Sequence, residues 1–189
     1  MSNVVAILAS PRKDGNSSTI ANAILDGAMG LSTNVIKIHH LNKLSYVRGC
    51  QDCLGCKKTG KCVTMDDLSE VLTDLRNADA IIIATPLYFG QPAAQYRMLE
   101  DRLYSFLNAD FTSNMEPGKR VVTVVTYGSD AKSANDVADA IEKLFIGTFK
   151  SVSLGKIVYS CKGSKNTALN DAAILKTARD LGYALWGKN

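Results

Sequence analysis

The amino-acid sequence predicts a single α/β domain in which a parallel β-sheet lies between two layers of helices. Three observations support this prediction. The chain has 189 residues, 46% of them hydrophobic, which suits one well-buried core. Five short runs rich in Val, Ile and Ala alternate with five segments of helical spacing. Several of these runs are apolar almost throughout, as is typical of strands that are buried on both faces.

Strands and helices alternate along the chain. The predicted strands are residues 3–9, 34–39, 79–85, 120–126 and 151–159. The predicted helices are residues 17–30, 66–77, 92–108, 133–147 and 167–185. Asp66 is expected to cap the second helix and Asp67 to lie in its first turn, where the helix dipole favours an acidic group. Because strand–helix–strand crossovers are right-handed, we expect a flavodoxin-like three-layer sandwich with a five-stranded parallel sheet of order 2-1-3-4-5.

Charge and hydrophobicity limit the classes of function. The formal net charge is +4 and the lysines and arginines are scattered, which argues against nucleic-acid binding and fits a protein that binds small anions. The N-terminal apolar run, VVAILA, is short and has no basic residue before it, so a secretory signal peptide is not expected. No apolar run approaches the roughly 20 residues of a membrane span. We therefore expect a cytoplasmic protein without a membrane partner.

The loop after the first strand has the composition of an anion-binding site. It reads SPRKDGNSST from Ser10 to Thr19 and leads into the first helix. Ligands of open parallel sheets bind beyond the carboxyl ends of the strands, where these hydroxyl groups and the guanidinium of Arg12 would meet a phosphate. The loop lacks the Walker and Rossmann glycine patterns. The alternative is that Ser17 or Ser18 caps the helix and Arg12 is solvated.

The loop after the third strand presents apolar and aromatic side chains where a loop is usually polar. It reads TPLYFGQP from Thr85 to Pro92, and its two prolines and one glycine restrict the backbone. A flat ring such as a flavin is expected to stack on this surface. After the fourth strand, TYGS at residues 126–129 supplies a third wall. The alternative is that Tyr88 and Phe89 pack on the following helix or in a subunit interface.

Together the three loops, SPRKDGNSST, TPLYFGQPAAQ and TYGS, resemble the NADPH-dependent FMN reductase family of the flavodoxin-like superfamily. The resemblance covers nearly the whole chain. It implies that the FMN phosphate is held by Ser10, Arg12, Asn16, Ser17 and Ser18. It places the isoalloxazine ring between one edge formed by Pro86, Leu87, Tyr88, Phe89 and Gly90 and another side formed by Thr126, Tyr127 and Gly128. The chain has Ala9 where many relatives have Gly, and Ser17-Ser18 where they often have Asn-Thr.

Four of the five cysteines lie in thirteen residues, CQDCLGCKKTGKC, with the spacing C-x2-C-x2-C-x5-C. They belong to a loop at about residues 48–64, within the single domain predicted for residues 1–189. Cytoplasmic thiols stay reduced, so a metal or redox site is expected rather than disulfides. Gly49, Gly55 and Gly60 would permit the turns that bring the thiols together. Structural zinc sites usually use two separated pairs of thiolates, so the compact spacing favours an iron–sulfur cluster.

The spacing also resembles that of the iron–sulfur flavoproteins, a branch of the FMN reductase relatives. The resemblance implies one [4Fe–4S] cluster with four ligands, Cys50, Cys53, Cys56 and Cys62. Zinc is one alternative, and free thiols or disulfides formed in air are another. Outside the loop, Cys161 is expected to be a buried core thiol. His39 and His40 are expected to pack or to be exposed rather than to bind metal.

These features predict an FMN-dependent oxidoreductase, or electron-transfer flavoprotein, in which a [4Fe–4S] cluster exchanges electrons with FMN. The expected donor is NAD(P)H or ferredoxin, and the expected acceptor is a small molecule. No catalytic acid or base is assigned, because the cofactors carry the chemistry. The resemblance implies a homodimer or homotetramer, and the cysteine loop is expected to approach the FMN of another subunit. The alternatives are a cluster-free NAD(P)H-dependent FMN, quinone or azo reductase, and a non-enzymatic zinc-binding module.

Overall fold

Five parallel strands form the centre of the structure, a computed structural model that describes residues 2–29 and 35–186. In chain order the strands are β1 (Asn3–Leu8), β2 (Val35–His40), β3 (Ala80–Tyr88), the two-residue β4 (Gln91–Pro92), β5 (Arg120–Tyr127) and β6 (Val152–Ser160). The parallel strands follow the order β2-β1-β3-β5-β6, and β4 pairs antiparallel with β3. The predicted order 2-1-3-4-5 is therefore confirmed for the parallel strands, whereas β4 was not predicted.

Helices connect the strands. They are α1 (Asn16–Met29), α2 (Gly55–Thr59), α3 (Leu68–Asn77), α4 (Ala94–Arg102), α5 (Ala131–Glu142) and α6 (Ala172–Ala184). Short 3₁₀ segments lie at Leu41–Lys43, Leu103–Phe106 and Ala168–Asn170, and a π-helical segment at Lys143–Thr148 continues α5. Every predicted helix has an observed counterpart, and the five-residue α2 is additional. The predicted end of the first helix at residue 30 and the predicted start of the second strand at residue 34 lie outside the described residues.

The sheet separates two hydrophobic cores. Along β1, Val4 and Leu8 point to one face, where they pack with α1 and α6. Val5 and Ile7 point to the other face, where they pack with α3, α4 and α5. This alternation follows from the two-residue period of a strand. The predicted three-layer architecture is confirmed.

The helices α1 and α6 approach each other at two glycines. A Cβ atom added to Gly182 would lie 2.0 Å from the carbonyl oxygen of Ile24, and one added to Gly27 would lie 2.2 Å from that of Arg179. Both distances are far below van der Waals contact. The close packing of these helices, which covers the sheet next to the first loop, therefore requires glycine at both positions.

The strands differ in burial as their positions in the sheet require. The central strands β1, β3 and β5 are buried over most of their length, whereas the edge strand β2 is partly or fully exposed. The prediction of strands buried on both faces is thus confirmed for the centre of the sheet. Within the described ranges, 2–29 and 35–186, none of the helices has the length and apolar character needed to cross a membrane.

Two neighbouring aspartates fix the chain before α3. Asp66 accepts a hydrogen bond from the backbone N–H of Leu68 at 3.1 Å, but the N-cap position of α3, predicted for Asp66, is occupied by Asp67, whose side chain makes no capping bond. Asp67 was expected in the first turn, but it lies immediately before α3. Its carboxylate accepts the backbone N–H groups of Tyr46 and Ser45, at 3.0 and 2.7 Å, and these bonds lower the pKa of Asp67. The two carboxylates therefore tie the loop after β2 to the start of α3.

Candidate functional site

The three predicted cofactor loops meet at the carboxyl edge of the sheet. The backbone N–H of Ala9, just after β1, donates to the carbonyl of Ala84 on β3 at 2.9 Å. On the other side of β3, Pro86 is in register with Thr126 of β5. The ends of β1, β3 and β5 are thus adjacent. The fold brings together the loops that the sequence analysis assigned to one site.

The first of these loops, Ser10–Gly15, curls tightly before α1. The backbone N–H of Arg12 donates to Ser10 Oγ at 3.1 Å, and the N–H of Gly15 donates to the carbonyl of Arg12 at 3.3 Å. A Cβ atom on Gly15 would lie only 3.0 Å from Ser10 Oγ, so glycine permits this curl. Ser10, Ser17 and Ser18 are buried, whereas Arg12 is exposed. Because the first N–H groups of a helix have no intrahelical partner, the start of α1 suits an anion.

The side chain of Asn16, a residue that the resemblance assigned to the phosphate, binds the segment after β6. Its side-chain Nδ2 donates to the carbonyl of Ser164 at 2.8 Å, and its Oδ1 accepts the N–H of Ala168 at 2.9 Å. Both ends of the amide are therefore engaged with the segment that follows β6. The backbone N–H of Asn16 lies at the start of α1, where the N–H groups of a helix have no intrahelical partner. This contact could not be predicted from the sequence, because the partners lie about 150 positions away.

The second loop is a rigid β-hairpin. Leu87 pairs with Pro92 and Tyr88 with Gln91, so that Phe89 and Gly90 form a two-residue turn. Both turn residues have positive φ values, 48° and 74°, as the turns that match the strand twist in a two-residue hairpin require. Phe89 is fully exposed and Tyr88 is half-exposed. The hairpin therefore presents two aromatic rings at the carboxyl edge of the sheet.

The third wall lies at the end of β5. Thr126 is buried and Tyr127 is half-buried, and Gly128 follows them. The carbonyl of Tyr127 accepts the thiol of Cys161 at 3.0 Å and the backbone N–H of the same residue at 2.8 Å. Cys161 was expected to be a buried core thiol on the last strand, but it lies just beyond β6 and is half-buried. The two bonds of Cys161 join the end of β6 to the end of β5.

Two histidines end β2 next to the first loop. His39 Nε2 lies 2.9 Å from Asp74 Oδ2, a carboxylate that also pairs with Lys37. His40 is half-buried. Burial lowers the pKa of His40, and the positive charges of Lys43 and Lys13 lower it further. His39 thus packs against α3, while His40 is held toward its neutral form beside a cationic loop.

The four cysteines of the loop line one small cavity. Cys50 and Cys53 are exposed, Cys56 is buried at the start of α2, and Cys62 is half-buried; all four are free thiols. The cavity between them has a volume of about 10 Å³. No group of three or more His, Cys, Asp or Glu side chains within residues 2–29 and 35–186 is arranged to hold a metal ion. The four predicted ligands therefore line one cavity, but in the described residues their side chains are not arranged around a common metal position.

The turns of this loop only partly follow the glycines. Gly60 has a φ of 71° and ends α2, and a Cβ on Gly55 would lie 2.6 Å from Val63 Cγ2. Gly49, by contrast, has no close contact and no left-handed conformation. The remaining left-handed turns fall on Asp52 and Leu54, with φ values of 48° and 56°. Two of the three predicted glycines are therefore required by the geometry.

Arg102, which the sequence analysis did not single out, lies at the base of the cysteine loop. Its side chain is fully buried, and Nε donates to Cys62 Sγ at 3.1 Å. Nη1 donates to Asp66 Oδ2 at 2.7 Å and to the carbonyl of Arg48 at 2.8 Å, and Nη2 donates to the carbonyl of Thr64 at 3.1 Å. Burial works to lower the pKa of Arg102, but Asp66 and the sulfur of Cys62 outweigh it and raise the pKa. We call this group of contacts the neck of the loop.

Lys57 fastens the other side of the loop. Its Nζ donates to the carbonyls of Tyr104 and Leu107, both at 2.8 Å, and lies 3.5 Å from the centre of the Tyr104 ring. A cation over an aromatic face is attracted by the ring quadrupole. The cysteine loop is thus held against the segment after α4 by Lys57 in addition to the neck.

Comparison with known proteins decides the family. The model of the NADPH-dependent FMN reductase family matches residues 2–165, which is most of the chain. The chain belongs to the NADPH-dependent FMN reductase family. The resemblance that the three loops carried is thereby confirmed, and the protein is an FMN-dependent oxidoreductase.

Curated relatives within the NADPH-dependent FMN reductase family give the branch. An iron–sulfur flavoprotein of Methanocaldococcus jannaschii is 28% identical over 95% of this chain and 93% of its own length. An iron–sulfur flavoprotein of Archaeoglobus fulgidus is 36% identical, over 54% of this chain and 46% of its own length. The predicted branch of the family, that of the iron–sulfur flavoproteins, is also confirmed.

Solved structures give the fold independently. The NAD(P)H:quinone oxidoreductase from Methanothermobacter marburgensis superimposes with a TM-score of 0.71, covering 100% of this chain and 98% of that chain at 15% identity. At this identity the similarity shows the fold alone. It agrees with the flavodoxin-like sheet order observed here.

Proposed function

We propose that this FMN-dependent oxidoreductase carries a [4Fe–4S] cluster on Cys50, Cys53, Cys56 and Cys62, and that the cluster exchanges electrons with FMN. The observation that carries the proposal is the single cavity lined by all four thiols, in a member of the FMN reductase family. All-thiol ligand sets suit iron–sulfur clusters and zinc, and the compact spacing is typical of clusters.

The carboxyl edge of the sheet fits FMN. The buried hydroxyl-bearing residues at the start of α1 and the exposed guanidinium of Arg12 offer N–H and O–H donors to a phosphate. The hairpin offers a rigid apolar surface to a flat ring. The residues that would hold FMN are Ser10, Arg12, Ser17, Ser18 and the backbone of Asn16 at the phosphate, and Pro86, Leu87, Tyr88, Phe89, Gly90, Thr126, Tyr127 and Gly128 around the ring.

The cysteine loop fits a cluster by its donor set rather than by its present volume. A cavity of about 10 Å³ has room for about one water molecule, so binding a cluster requires the loop to widen. Cys50 and Cys53 are exposed, whereas Cys56 and Cys62 are more deeply placed. The widening would therefore occur on the solvent side of the loop.

When bound, FMN would supply two-electron and one-electron chemistry and the cluster one-electron transfer, so that a nicotinamide and a one-electron carrier can be connected. The protein's own residues bind and orient. The start of α1 fixes the phosphate end, and the hairpin fixes the plane of the ring. Arg102 and Lys57 hold the thiol loop in place. No side chain is assigned to proton transfer.

The proposed electron donor is NAD(P)H or ferredoxin, and the proposed electron acceptor is a small molecule. The proposed location is the cytoplasm, where thiols stay reduced. An open groove of about 630 Å³ adjoins Cys50, with Leu103, Tyr104 and Leu107 among the residues that line it.

We propose a homodimer or homotetramer, which would cover the exposed Phe89 and Tyr88 and bring the cysteine loop to the FMN of another subunit.

Anaerobic reconstitution with FMN, iron and sulfide tests the function. The wild-type protein is expected to bind FMN and about four iron and four sulfide per chain, with a broad visible absorbance that bleaches on reduction. Cys56→Ser should lose the iron and keep the FMN, because the site is separate from the flavin edge. Cys161→Ser is the matched control and should keep both.

The alternatives give different results in the same experiment. Bound FMN without iron in the wild-type protein supports a cluster-free reductase. Zinc uptake without flavin supports a non-enzymatic module. Equal iron content in Cys56→Ser and the wild-type protein would show that the thiol cavity is not the cluster site.

A further inference from the structure

Arg102 makes a side-chain hydrogen bond to one cysteine of the loop, Cys62. Of the four thiols, Cys62 receives a hydrogen bond from a fully buried guanidinium, at 3.1 Å from Nε. The other N–H groups of Arg102 that make contacts go to Asp66 and to the carbonyls of Arg48 and Thr64. These contacts fix the guanidinium, so Nε is held in place before any cofactor is bound.

Burying the charged guanidinium of Arg102 is unfavourable unless the charge has partners, so the contacts of Arg102 form a specific set. A buried charge is stable only when it is paired and hydrogen-bonded, and the fully buried carboxylate of Asp66 supplies the pair. The two carbonyls come from opposite ends of the cysteine loop, Arg48 before Cys50 and Thr64 after Cys62. The side chain of Arg102 therefore joins the two ends of the cysteine loop and donates a hydrogen bond to the sulfur of Cys62 within it.

Ser105 provides an independent second observation. It is 3% exposed, and its hydroxyl has no hydrogen-bond partner among the described residues. It lines the four-cysteine cavity and also a neighbouring cavity of about 320 Å³, and Cys62 lines both. Buried hydroxyl groups normally have a partner, so this one needs an explanation. A sulfur-bearing group bound in the cavity would supply the missing acceptor.

We propose that Arg102 and Ser105 are positioning residues for Cys62 that hold it as the fixed ligand of the cluster and donate hydrogen bonds to the sulfur side of the site. This inference rests on the proposed cluster. Groups that orient a ligand commonly matter almost as much as the ligand itself. Cys62 is then the anchored ligand, and the exposed Cys50 and Cys53 complete the site from the solvent side.

Two consequences follow for the loaded protein. Hydrogen bonds to cluster sulfurs favour the more negatively charged, reduced state, so removing one lowers the midpoint potential. Loss of an orienting group also weakens metal retention, by about 10- to 100-fold. A third consequence concerns the protein without iron. Without the neck, the loop opens, and trypsin reaches Lys58 and Lys61 about tenfold faster, because several hydrogen bonds from a charged donor are lost.

The test uses the full chain with three variants. Arg102→Lys keeps the positive charge next to Asp66 but cannot make the planar set of contacts. Ser105→Ala removes a hydroxyl that has no hydrogen-bond partner in the described part of the chain, so the iron-free variant should melt at the same or a higher temperature. Arg97→Lys is the matched control, because Arg97 lies exposed on the same helix and its side chain pairs, among the described residues, with Glu100 and Asp101.

We expect Arg102→Lys to lose iron to a chelator about 10- to 100-fold faster than the wild-type protein, and both Arg102→Lys and Ser105→Ala to have lower midpoint potentials. Arg97→Lys should match the wild-type protein in every measurement. Unchanged potentials in both variants would overturn the inference while leaving the cluster itself in place. If the wild-type protein takes up no iron, the proposed function fails and the inference fails with it.

Discussion

His40 is a side chain whose protonation is linked to folding. It lies at the end of β2 beside the first loop, and burial followed by the charges of Lys43 and Lys13 lowers its pKa from the ordinary value of 6.5. A histidine with a lowered pKa in the folded state contributes stability above its unfolded pKa, and that stability is lost as the pH falls through the folded value. Protonation of His40 at low pH therefore adds a positive charge near Lys43 and Lys13, whose positive charges disfavour it.

We predict that His40→Gln reduces the acid sensitivity of the protein. Between about pH 7.5 and pH 5, the melting temperature of the wild-type protein should fall further than that of the variant, because glutamine binds no proton. Differential scanning fluorimetry over this range measures the difference. Parallel curves for the two proteins would show that His40 is not the linked group.

Single residues also mark the limit of what the sequence could predict. Cys50 and Cys62 were recognised by spacing, a local property, and the structure places them around one cavity. Arg102 was missed because, within a helical segment, an arginine is normally a solvated surface residue. It is buried here because the cysteine loop folds over it, and nothing in the helical pattern announces that contact.

At the scale of elements, the contact between α1 and α6 depends on an absent side chain. The carbonyl of Ile24 would lie 2.0 Å from a Cβ on Gly182, so the helices must separate if the residue is larger. Helix propensity acts in the opposite direction, since alanine is favoured over glycine by about 1 kcal/mol. Overpacking of a close contact costs more, typically about 1–3 kcal/mol.

We predict that Gly182→Ala lowers the free energy of unfolding by about 1–3 kcal/mol, despite the gain in helix propensity. Gly147→Ala is the matched control, because an added Cβ there has no neighbour within 4 Å. Urea denaturation followed by circular dichroism measures both variants. A Gly182→Ala protein as stable as the wild type would mean that the helices tolerate a wider separation.

Strands and helices with a clear hydrophobic period were predicted from the sequence. Short elements that are defined by a few local hydrogen bonds were not. The apolar runs of β1, β3 and β5 follow from burial on both faces, which leaves a clear mark on the sequence. The two-residue β4 and the five-residue α2 are too short for any period. The hairpin turn also has Phe89, rather than Asn or Asp, at its first position with positive φ, so its usual signal is absent.

At the scale of the whole molecule, Asn16 links the two ends of the described chain. Its side-chain amide joins the start of α1 to the carbonyl of Ser164 and the N–H of Ala168. Asn16 is itself buried, and its bond to Ala168 is buried, whereas its bond to the exposed Ser164 is only partly buried. The segment after β6 is thereby held against the phosphate loop.

We predict that Asn16→Ala destabilises the protein by about 1–3 kcal/mol, because the buried N–H of Ala168 and the partly buried carbonyl of Ser164 lose their partner. Proteolysis at Lys162 and Lys165 should also accelerate, since the segment that carries them is released. Asn166→Ala, at an exposed asparagine of the same segment, is the control and should behave like the wild-type protein. If both variants are cleaved at the same rate, the segment is held by other contacts.

The order of the parallel strands was predictable for the whole chain because it follows from general rules on crossovers and burial. The site was predictable only as a set of loops at one edge of the sheet. The contact of Asn16 with Ser164, and the neck formed by Arg102, depend on pairs of residues far apart in the chain. Such pairs leave no periodic or local pattern in a single sequence.

The neck also has a consequence for how such a loop can change over evolutionary time. The carbonyls of Arg48 and Thr64 accept hydrogen bonds from the same guanidinium, so the points where the segment leaves and returns are held close together. Lengthening a closed segment is inexpensive, at about 0.6 kcal/mol for each doubling. Lys57 and the carbonyl of Gly60, which accepts a hydrogen bond from Arg76, also hold the segment, so a change of length is tolerated only where it preserves these contacts. The thiol segment therefore behaves as one unit that is fastened at several points.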